Sequence, residues 1–169
     1  MWVAQHFEMR KPRTFLSSGG LGTMGYGLGA AIGGQFGCPD KRVVLVSGDG
    51  SFHMNLQELT TLASYNLPIV VLVMNNKVLG MVRQWQKLFY GRRFSATDPH
   101  RKTDFVKLAE AFGCKGMRIA TAGDIEPVLQ AALAAGGPVV VDCQISPDAN
   151  VLPMIPSGGT VHDMIEAMD

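Results

Sequence analysis

One stretch, residues 43–76, restricts the fold of this chain more than any other. It opens at 43–46 with a short, β-branched apolar run, which is typical of a strand buried on both faces. A glycine-rich break at 47–51 is followed by apolar residues at helical spacing, and a second apolar run occupies 69–74. A strand, a helix and a strand in this order form a right-handed crossover. The two strands are therefore predicted to be parallel and to end at one edge of the sheet.

Polar residues suited to a cation follow each predicted strand. Asp49 comes after the first strand and Asn76 after the second, at the edge where α/β proteins bind ligands. A carboxylate, an amide oxygen and the backbone carbonyls after Asn76 are hard ligands that suit Mg2+, which also keeps water and phosphate oxygens. Gly48 and Gly50 let a ligand approach the backbone, and Ser51 with the following N–H groups faces an anion. The pattern favours a Mg2+–diphosphate site over an ordinary strand-to-helix turn.

The rest of the chain continues the alternation of strands and helices. Further elements are predicted as strands at 115–120 and 139–144 and as helices at 78–90, 104–112 and 124–135. This order predicts a doubly wound α/β domain with a largely parallel sheet and helices on both faces. We expect a single domain, residues 1–169, with an irregular C-terminal arm at 146–169 that ends in a helical turn at 161–168.

Glycines at i, i+4 and i+8 follow a glycine-rich loop early in the chain. Gly25, Gly29 and Gly33 would form one bare stripe along a helix. Because glycine is a poor helix former, this stripe predicts close packing of the helix on a neighbouring backbone.

Composition and charge exclude several classes of protein. Hydrophobic residues make up 47% of the 169 residues and charged residues 17%, which is typical of a globular domain. A net charge of +1 argues against a nucleic-acid-binding protein and against a membrane-surface protein. The uncharged stretch 14–39 is rich in Gly, Ser and Ala rather than in large apolar residues, so we do not expect it to span a membrane.

The remaining reactive residues have structural interpretations. Cys38, Cys114 and Cys143 form no C-x-x-C pair, which predicts buried thiols in a reducing compartment. That compartment is the cytoplasm, or a plastid or mitochondrion in a eukaryote. His53 is predicted to be a first-turn helix residue, and Glu58 a structural carboxylate. A locally basic group is interpreted as a solvated or interdomain face, and it consists of Arg83, Lys87, Arg92, Arg93, Arg101 and Lys102.

The residues at the two strand ends also form a known motif. The Gly-Asp-Gly triplet at 48–50 and the Asn pair at 75–76, with a helix between them, resemble the motif of thiamine diphosphate (ThDP) dependent enzymes. The resemblance implies that ThDP is the cofactor and that Mg2+ is bound by Asp49, Asn76 and the backbone carbonyl of Val78.

Three other segments, 18–25, 80–90 and 151–159, resemble acetolactate synthase (acetohydroxyacid synthase). This resemblance implies that Met24 supports the thiazolium ring of ThDP. The other implied cofactor-binding residues, besides the three metal ligands, are Gly22, Thr23, Gly50, Ser51, Gly80 and Met81. A pocket for the second substrate and for sulfonylurea-type inhibitors is implied at Met81, Trp85 and Ser157. The resemblance implies no convincing catalytic acid or base in this chain.

The resemblance corresponds to the C-terminal, diphosphate-binding third of the catalytic subunit. The complete enzyme condenses two pyruvates, or pyruvate and 2-oxobutyrate, with loss of CO2 in branched-chain amino acid biosynthesis. The implied partner is a pyrimidine-binding domain that carries the activating glutamate. It belongs to another subunit or to a part of the same chain that is missing here. FAD, a homo-oligomer and a regulatory small subunit are expected only in the complete enzyme. The 169-residue chain alone is expected to be inactive and to expose an apolar face.

Two alternative functions remain open on the sequence. The chain would also suit the small subunit of a two-chain ThDP-dependent 2-oxoacid decarboxylase. It would equally suit a non-catalytic module that binds the cofactor.

Overall fold

A computed structural model describes residues 1–167 of the chain. At its centre is a sheet of four parallel strands in the spatial order β1-β2-β4-β3. The strands are β1 (Val44–Gly48), β2 (Val70–Asn75), β3 (Lys115–Ile119) and β4 (Val139–Gln144). The predicted strands and their parallel pairing are confirmed.

Helices connect the strands and pack on both faces of the sheet. The α-helices of the described chain are α1 (Trp2–His6), α2 (Tyr26–Gly37), α3 (Asp49–His53), α4 (Leu59–Ser64), α5 (Gly80–Phe89), α6 (Phe105–Ala111) and α7 (Ile125–Ala134). Short 3-10 turns occupy Leu56–Glu58, Ala122–Asp124 and Val161–Asp163. The predicted α/β class, with its parallel sheet, is confirmed.

The crossover helix predicted between β1 and β2 is interrupted. It consists of α3, the turn Leu56–Glu58 and α4, and the break falls at Asn55, whose φ is −145°. The Asn55 side chain donates to the Gly25 carbonyl (3.2 Å) and accepts from the Gln57 side chain (3.0 Å). Asparagine competes in this way with helical backbone bonds. The interruption therefore ties the loop before α2 to the segment after β1.

The two faces of the sheet are covered unequally. Helices α2, α4 and α6 pack on one face, where Leu45, Leu59 and Phe105 belong to one buried cluster. Helix α7 packs on the other face over β3 and β4. On that second face Val44 and Val46 are 45% and 40% exposed. The prediction that the first strand is buried on both faces is wrong, because β1 is an edge strand that α7 does not cover.

The glycine stripe does not pack as predicted. Gly25 precedes α2 with a φ of +85°, and an added Cβ there would lie 3.1 Å from Met54 Cβ, so Gly25 does pack closely. A Cβ at Gly33 would meet no atom of another segment within 4 Å, and at Gly29 the nearest such atom would be 3.9 Å away. The closest approach of α2 to the sheet is at Gly27, where an added Cβ would lie 2.7 Å from Leu45 Cδ1. The prediction is therefore wrong for Gly29 and Gly33, because the face of α2 that meets β1 lies beside the stripe.

Three smaller expectations meet different outcomes. Cys114 and Cys143 are buried as predicted, but Cys38 is exposed after the end of α2, so that prediction is wrong for Cys38. In the described part of the arm, residues 146–167, only Val161–Asp163 is helical, as a 3-10 turn, and Met168 lies outside the described residues. Within residues 1–167, no helix combines the length and the apolar character that crossing a membrane requires.

An ionic network joins the carboxyl-terminal half of β4 to β2, β3 and α6. Asp142 is 2% exposed and accepts from Asn75 Nδ2 (2.8 Å) and from Arg118 Nε (3.0 Å). Arg118 Nη2 also donates to Asp104 Oδ1 (2.7 Å). Asp104 is the N-cap of α6 and accepts from the N–H groups of Val106 and Lys107. The network thus ties the end of β2, where the Asn pair lies, to three neighbouring elements.

The Asp104 carboxylate makes part of the folding stability depend on pH. Partial desolvation raises the pKa of Asp104, but the Lys107 N–H, the Arg118 charge and the Val106 N–H outweigh it and lower the pKa from 3.8. A lowered pKa adds stability above the ordinary carboxyl pKa, and this stability is lost as the pH falls through the folded value. We expect Asp104→Asn, which preserves the cap, to reduce the difference in unfolding free energy between neutral and acidic urea titrations. An equal difference in both proteins would contradict the prediction.

Candidate functional site

The residues predicted to bind a cation follow neighbouring strands. Gly48 of β1 is paired with Met74 of β2 in the parallel register. Asp49 therefore leaves β1 at the same edge of the sheet at which Asn76 leaves β2. Asp49 is 3% exposed and is the first residue of α3. This edge brings a buried carboxylate and an amide side chain to neighbouring positions.

The turn after β2 is held by the Asn76 side chain. Asn76 Oδ1 accepts from the Val78 N–H at 3.1 Å. Lys77 between them has a φ of +62°, and Val78 is buried. Helix α5 begins at Gly80, where an added Cβ would lie 2.7 Å from Asn76 Nδ2. A residue without a side chain is therefore needed at position 80 to leave the Asn76 amide in its place.

A cleft of about 550 Å³ opens at this edge. Asn76, Lys77 and Val78 form one wall, and Asp98, His100 and Arg101 come from the loop between α5 and α6; the remaining lining residues are Asn75, Gln144, Ile145 and Pro147. The cleft is thus built from the ends of β2 and β4 and from a polar loop. Its volume is within the range of small-molecule sites.

Arg101 forms an ion pair with Asp49. Its Nη1 donates to Asp49 Oδ2 at 3.0 Å, and the side chains are 21% and 4% exposed. Burial raises the pKa of Asp49, and the Arg101 charge and the Gly50 N–H offset only part of that effect. The interpretation of Arg101 as a solvated residue is wrong, and its interpretation as part of an interdomain face stays a prediction. The sequence did not indicate this contact, since 52 residues separate the partners and no pattern marks the loop.

The loop at 18–25 reaches the same place. Gly25 N–H donates to the Ser51 hydroxyl at 2.9 Å. An added Cβ at Gly50 would lie 3.4 Å from Met24 Cε and 2.9 Å from Leu79 Cδ2. Met24, Gly50 and Ser51 are therefore close together, and the Ser51 hydroxyl fastens the loop. Leu79 was not among the predicted residues.

Gly22 and Thr23 occupy the exposed part of this loop. Gly22 has a φ of +64°, and the Thr23 N–H donates to the Ser18 hydroxyl at 3.0 Å. These contacts hold the loop in a turn. Gly22 and Thr23 precede Met24 in this loop, and they stay predictions as cofactor-binding residues.

Helix α5 carries the residues predicted to form a substrate pocket. Met81 lies in its first turn, and Trp85 is half-buried with its ring edge-on to Phe89 at 5.3 Å between centroids. Ser157 is exposed in a turn of the arm. These three residues stay predictions as pocket residues.

The arm is fastened to α5 by a residue that the sequence analysis missed. Gln84 is 2% exposed, its Nε2 donates to the Val151 carbonyl (2.9 Å), and its Oε1 accepts from the Val151 N–H (2.7 Å). Arg83 adds an ion pair to Asp148 at 3.1 Å. A glutamine on the buried face of an amphipathic helix was the available signal. These bonds hold the arm against the helix that carries Trp85.

His53 has both ring nitrogens engaged at the site. Its Nδ1 bonds the Asp49 carbonyl (2.8 Å), and its Nε2 bonds the Thr103 hydroxyl (2.8 Å). Since a carbonyl only accepts, Nδ1 carries a proton, and Nε2 of the neutral ring accepts from the Thr103 hydroxyl. His53 therefore positions the backbone of Asp49. Glu58 accepts from the Thr61 hydroxyl (2.8 Å), which agrees with its structural interpretation.

The oxygen donors predicted at the sheet edge have the chemistry that a hard cation such as Mg2+ prefers. Within the described chain, no cluster of three His, Cys, Asp or Glu could hold a metal ion. The Asp49 carboxylate, the Asn76 amide oxygen and a backbone carbonyl are a different set, with oxygen atoms only, which suits a hard cation. The Arg101 guanidinium already places one positive charge 3.0 Å from Asp49.

Comparison with known proteins identifies the family. Residues 1–143 match the model described as "Thiamine pyrophosphate enzyme, C-terminal TPP binding domain". The chain belongs to the thiamine pyrophosphate enzymes. Thiamine pyrophosphate and ThDP are the same molecule, so the predicted resemblance of the chain to this family is confirmed.

The relatives of this TPP-binding domain include acetolactate synthases. The chain is 45% identical over 168 residues to the "Probable acetolactate synthase large subunit" of Methanococcus aeolicus. The aligned region covers 99% of this chain and 28% of that relative. It is 44% identical over 168 residues to "Acetolactate synthase isozyme 2 large subunit" of Escherichia coli (strain K12), with 99% and 31% covered. The predicted resemblance to acetolactate synthase is confirmed, and the two-chain decarboxylase is not favoured. The chain spans less than a third of the length of these relatives.

A solved structure shares the fold. The "Rhodococcus jostii RHA1 thiamine diphosphate-dependent 4-hydroxybenzoylformate decarboxylase" is 34% identical, with a TM-score of 0.68 over 73% of this chain and 23% of that chain. The likeness agrees with a ThDP-binding fold for this TPP-binding domain.

Proposed function

We propose that the chain is the ThDP-binding portion of an acetolactate synthase catalytic subunit. The observation that carries this proposal is the 44–45% identity to acetolactate synthase large subunits across 99% of the chain. The complete enzyme would condense two pyruvates, or pyruvate and 2-oxobutyrate, with loss of CO2 in branched-chain amino acid biosynthesis. It would work in the cytoplasm, or in a plastid or mitochondrion of a eukaryote.

The role proposed for this chain is to bind and orient the cofactor. Asp49, Asn76 and the Val78 carbonyl would hold Mg2+, which would hold the diphosphate of ThDP. ThDP, when bound, supplies the carbanion chemistry by which a 2-oxoacid loses CO2 and is joined to a second one. Met24 would support the cofactor ring, and its Cε lies 3.4 Å from the position of a Cβ added at Gly50. His53 would keep the Asp49 backbone in position through its bond to the Asp49 carbonyl.

Partners would complete the site. We propose that a pyrimidine-binding domain with the activating glutamate meets this domain at the cofactor, and that FAD, other copies of the subunit and a regulatory small subunit belong to the complete enzyme. The support is that the chain covers only 28% and 31% of the acetolactate synthase relatives. The exposed Val44 and Val46 add an apolar surface on which a further domain would be expected to pack.

In the test, ThDP and Mg2+ are removed from the complete assembly and then added back. The products that it forms from pyruvate are measured before and after this addition. Acetolactate formed only when both are returned supports the proposal. Acetaldehyde without acetolactate would instead indicate a decarboxylase. ThDP binding with no consumption of 2-oxoacid would indicate a non-catalytic module.

Gly80 provides a test of the Asn76 side chain. Gly80→Ala places a methyl group 2.7 Å from Asn76 Nδ2 and should displace the amide. We expect the Mg2+ concentration for half-maximal ThDP binding to rise about tenfold, as it does for changes around metal ligands. Folding should change little, because alanine favours a helix over glycine by about 1 kcal/mol. ThDP titrations at graded Mg2+ and urea midpoints measure the two effects.

Gly33→Ala is the matched control for this variant. It adds the same methyl group inside α2, where no atom lies within 4 Å. It should leave the Mg2+ requirement unchanged. The same requirement in Gly80→Ala as in the wild type would contradict the proposed role of Asn76.

Trp85 separates a pocket residue from a core residue. Because it is half-buried and has Phe89 as its aromatic neighbour, Trp85→Leu should lower the unfolding free energy by only about 1 kcal/mol. We expect it to loosen the discrimination between pyruvate and 2-oxobutyrate and to weaken sulfonylurea-type inhibitors. Substrate competition in the complete assembly and urea titration of this chain measure these effects. Phe89→Leu is the control. A large loss of stability in Trp85→Leu, with unchanged preference between pyruvate and 2-oxobutyrate, would identify Trp85 as a core residue.

A further inference from the structure

The loop at 97–103 is fastened on both sides of the cation site. At its start the Leu79 N–H donates to the carbonyl of Thr97 (2.8 Å), which is 2% exposed. At its end the Thr103 hydroxyl donates to His53 Nε2 (2.8 Å), and His53 in turn bonds the Asp49 carbonyl. Two separate anchors therefore hold this loop next to Asp49.

Arg101 lies between these anchors and turns its side chain onto Asp49. The guanidinium donates through Nη1 to Asp49 Oδ2 at 3.0 Å, and its Nη2 would lie 3.4 Å from a Cβ at Gly50. It thus covers the backbone at Gly50 as well as the carboxylate. The Asp49 side chain is 4% exposed, so this guanidinium shields the carboxylate from solvent.

We propose that Arg101 is an internal counter-cation that pairs with Asp49 in the cofactor-free domain and competes with Mg2+ for that carboxylate. The inference rests on the proposed function, because it takes Asp49 as a ligand of the metal. A buried carboxylate is unfavourable without a positive partner, so one cation must replace the other. Since the loop is anchored at both ends, the exchange needs only rotation of the Arg101 side chain into the cleft. Arg101 therefore keeps Asp49 paired and sets the metal concentration at which the site fills.

The experiment measures Mn2+ binding to the full 169-residue chain by the loss of the electron paramagnetic resonance signal of free Mn2+. Mn2+ accepts the same oxygen ligands as Mg2+. We expect Arg101→Gln to tighten Mn2+ binding about tenfold, because a charge-assisted hydrogen bond no longer competes. Lys102→Gln removes the same charge from the exposed neighbour in the loop and should change the affinity less than about threefold. Asp49→Asn should abolish binding in both backgrounds.

The outcomes separate this inference from the metal site itself. Tighter binding in Arg101→Gln only, with loss in Asp49→Asn, supports the inference. The wild type and Arg101→Gln could instead bind Mn2+ with equal affinity, and both could lose binding when Asp49→Asn is added. This result would support the metal site but overturn the proposed role of Arg101. An equal gain in Mn2+ affinity in Lys102→Gln also overturns this role, since the loss of any positive charge from the loop would then explain the effect. No binding in any variant overturns the metal site and the inference together. If Arg101→Gln does not fold, Arg101→Lys is measured in its place. We expect its Mn2+ affinity to lie between the wild-type affinity and the roughly tenfold tighter affinity expected for Arg101→Gln. An affinity equal to that of the wild type would contradict the inference.

Discussion

Asp49→Ala is expected to abolish Mg2+-dependent ThDP binding in the complete assembly. Asp49 is the carboxylate of the proposed ligand set, and alanine leaves the metal only the Asn76 amide and a backbone carbonyl. Loss of residues that merely support a ligand lowers metal affinity about 10- to 100-fold, so we expect loss of a ligand to exceed about 100-fold. Folding should be retained, because the Arg101 side chain is 21% exposed and can turn into the cleft. Calorimetric titration with ThDP at graded Mg2+ measures the effect.

A matched control removes a carboxylate that is not at the site. Asp148→Ala breaks the ion pair with Arg83 in the arm, and the Asp148 side chain is 57% exposed. It should leave both the ThDP affinity and the Mg2+ requirement close to those of the wild type. Residual ThDP binding in Asp49→Ala with an unchanged Mg2+ requirement would show that the metal is held elsewhere.

Phe52→Ala should cost about 3–5 kcal/mol of unfolding free energy, as truncation of a buried aromatic residue does. Phe52 is 2% exposed and packs edge-on against Phe105, with ring centroids 5.8 Å apart. It lies on α3 three residues after Asp49, in the buried cluster that also contains Leu45 of β1 and Phe105 of α6. The loss of its ring therefore removes the packing that positions the start of α3. Urea unfolding of the 169-residue chain, followed by far-UV circular dichroism, measures the change.

The control for Phe52 is another aromatic residue of this chain that is only half-buried. Trp85→Ala removes a larger side chain, but its contact partner Phe89 is itself 41% exposed. We expect a smaller loss of stability from Trp85→Ala than from Phe52→Ala. An equal or larger loss would mean that Trp85 belongs to the core and would remove the structural support for a pocket role.

The elements of this fold could be predicted because their signals are local. The β-branched runs at 69–74 and 139–144 are strands because such residues suit the buried centre of a parallel sheet. Gly113, with a φ of +82°, ends α6, and Pro127 fits the first turn of α7. The spacing of Asp49 and Asn76 predicted a common edge because a crossover leaves parallel strands no other arrangement.

The errors occurred where a distant contact outweighed a local pattern. The crossover helix breaks at Asn55 because its side chain bonds the Gly25 carbonyl across 30 residues. Val44 and Val46 are exposed although their run resembles a central strand, because neighbours in space rather than sequence decide which strand lies at the edge.

The sequence by itself determined the strands and their shared edge, since each depends on residues close together along the chain or on one crossover. Only the tertiary structure decided which side chain pairs with Asp49, because Arg101 comes from a polar loop 52 residues away without any periodic pattern. The attachment of the arm to α5 was decided in the same way, through Gln84 and Val151, 67 residues apart. Such contacts depend on how the folded elements bring loops together, and a single sequence contains no local signal for that arrangement.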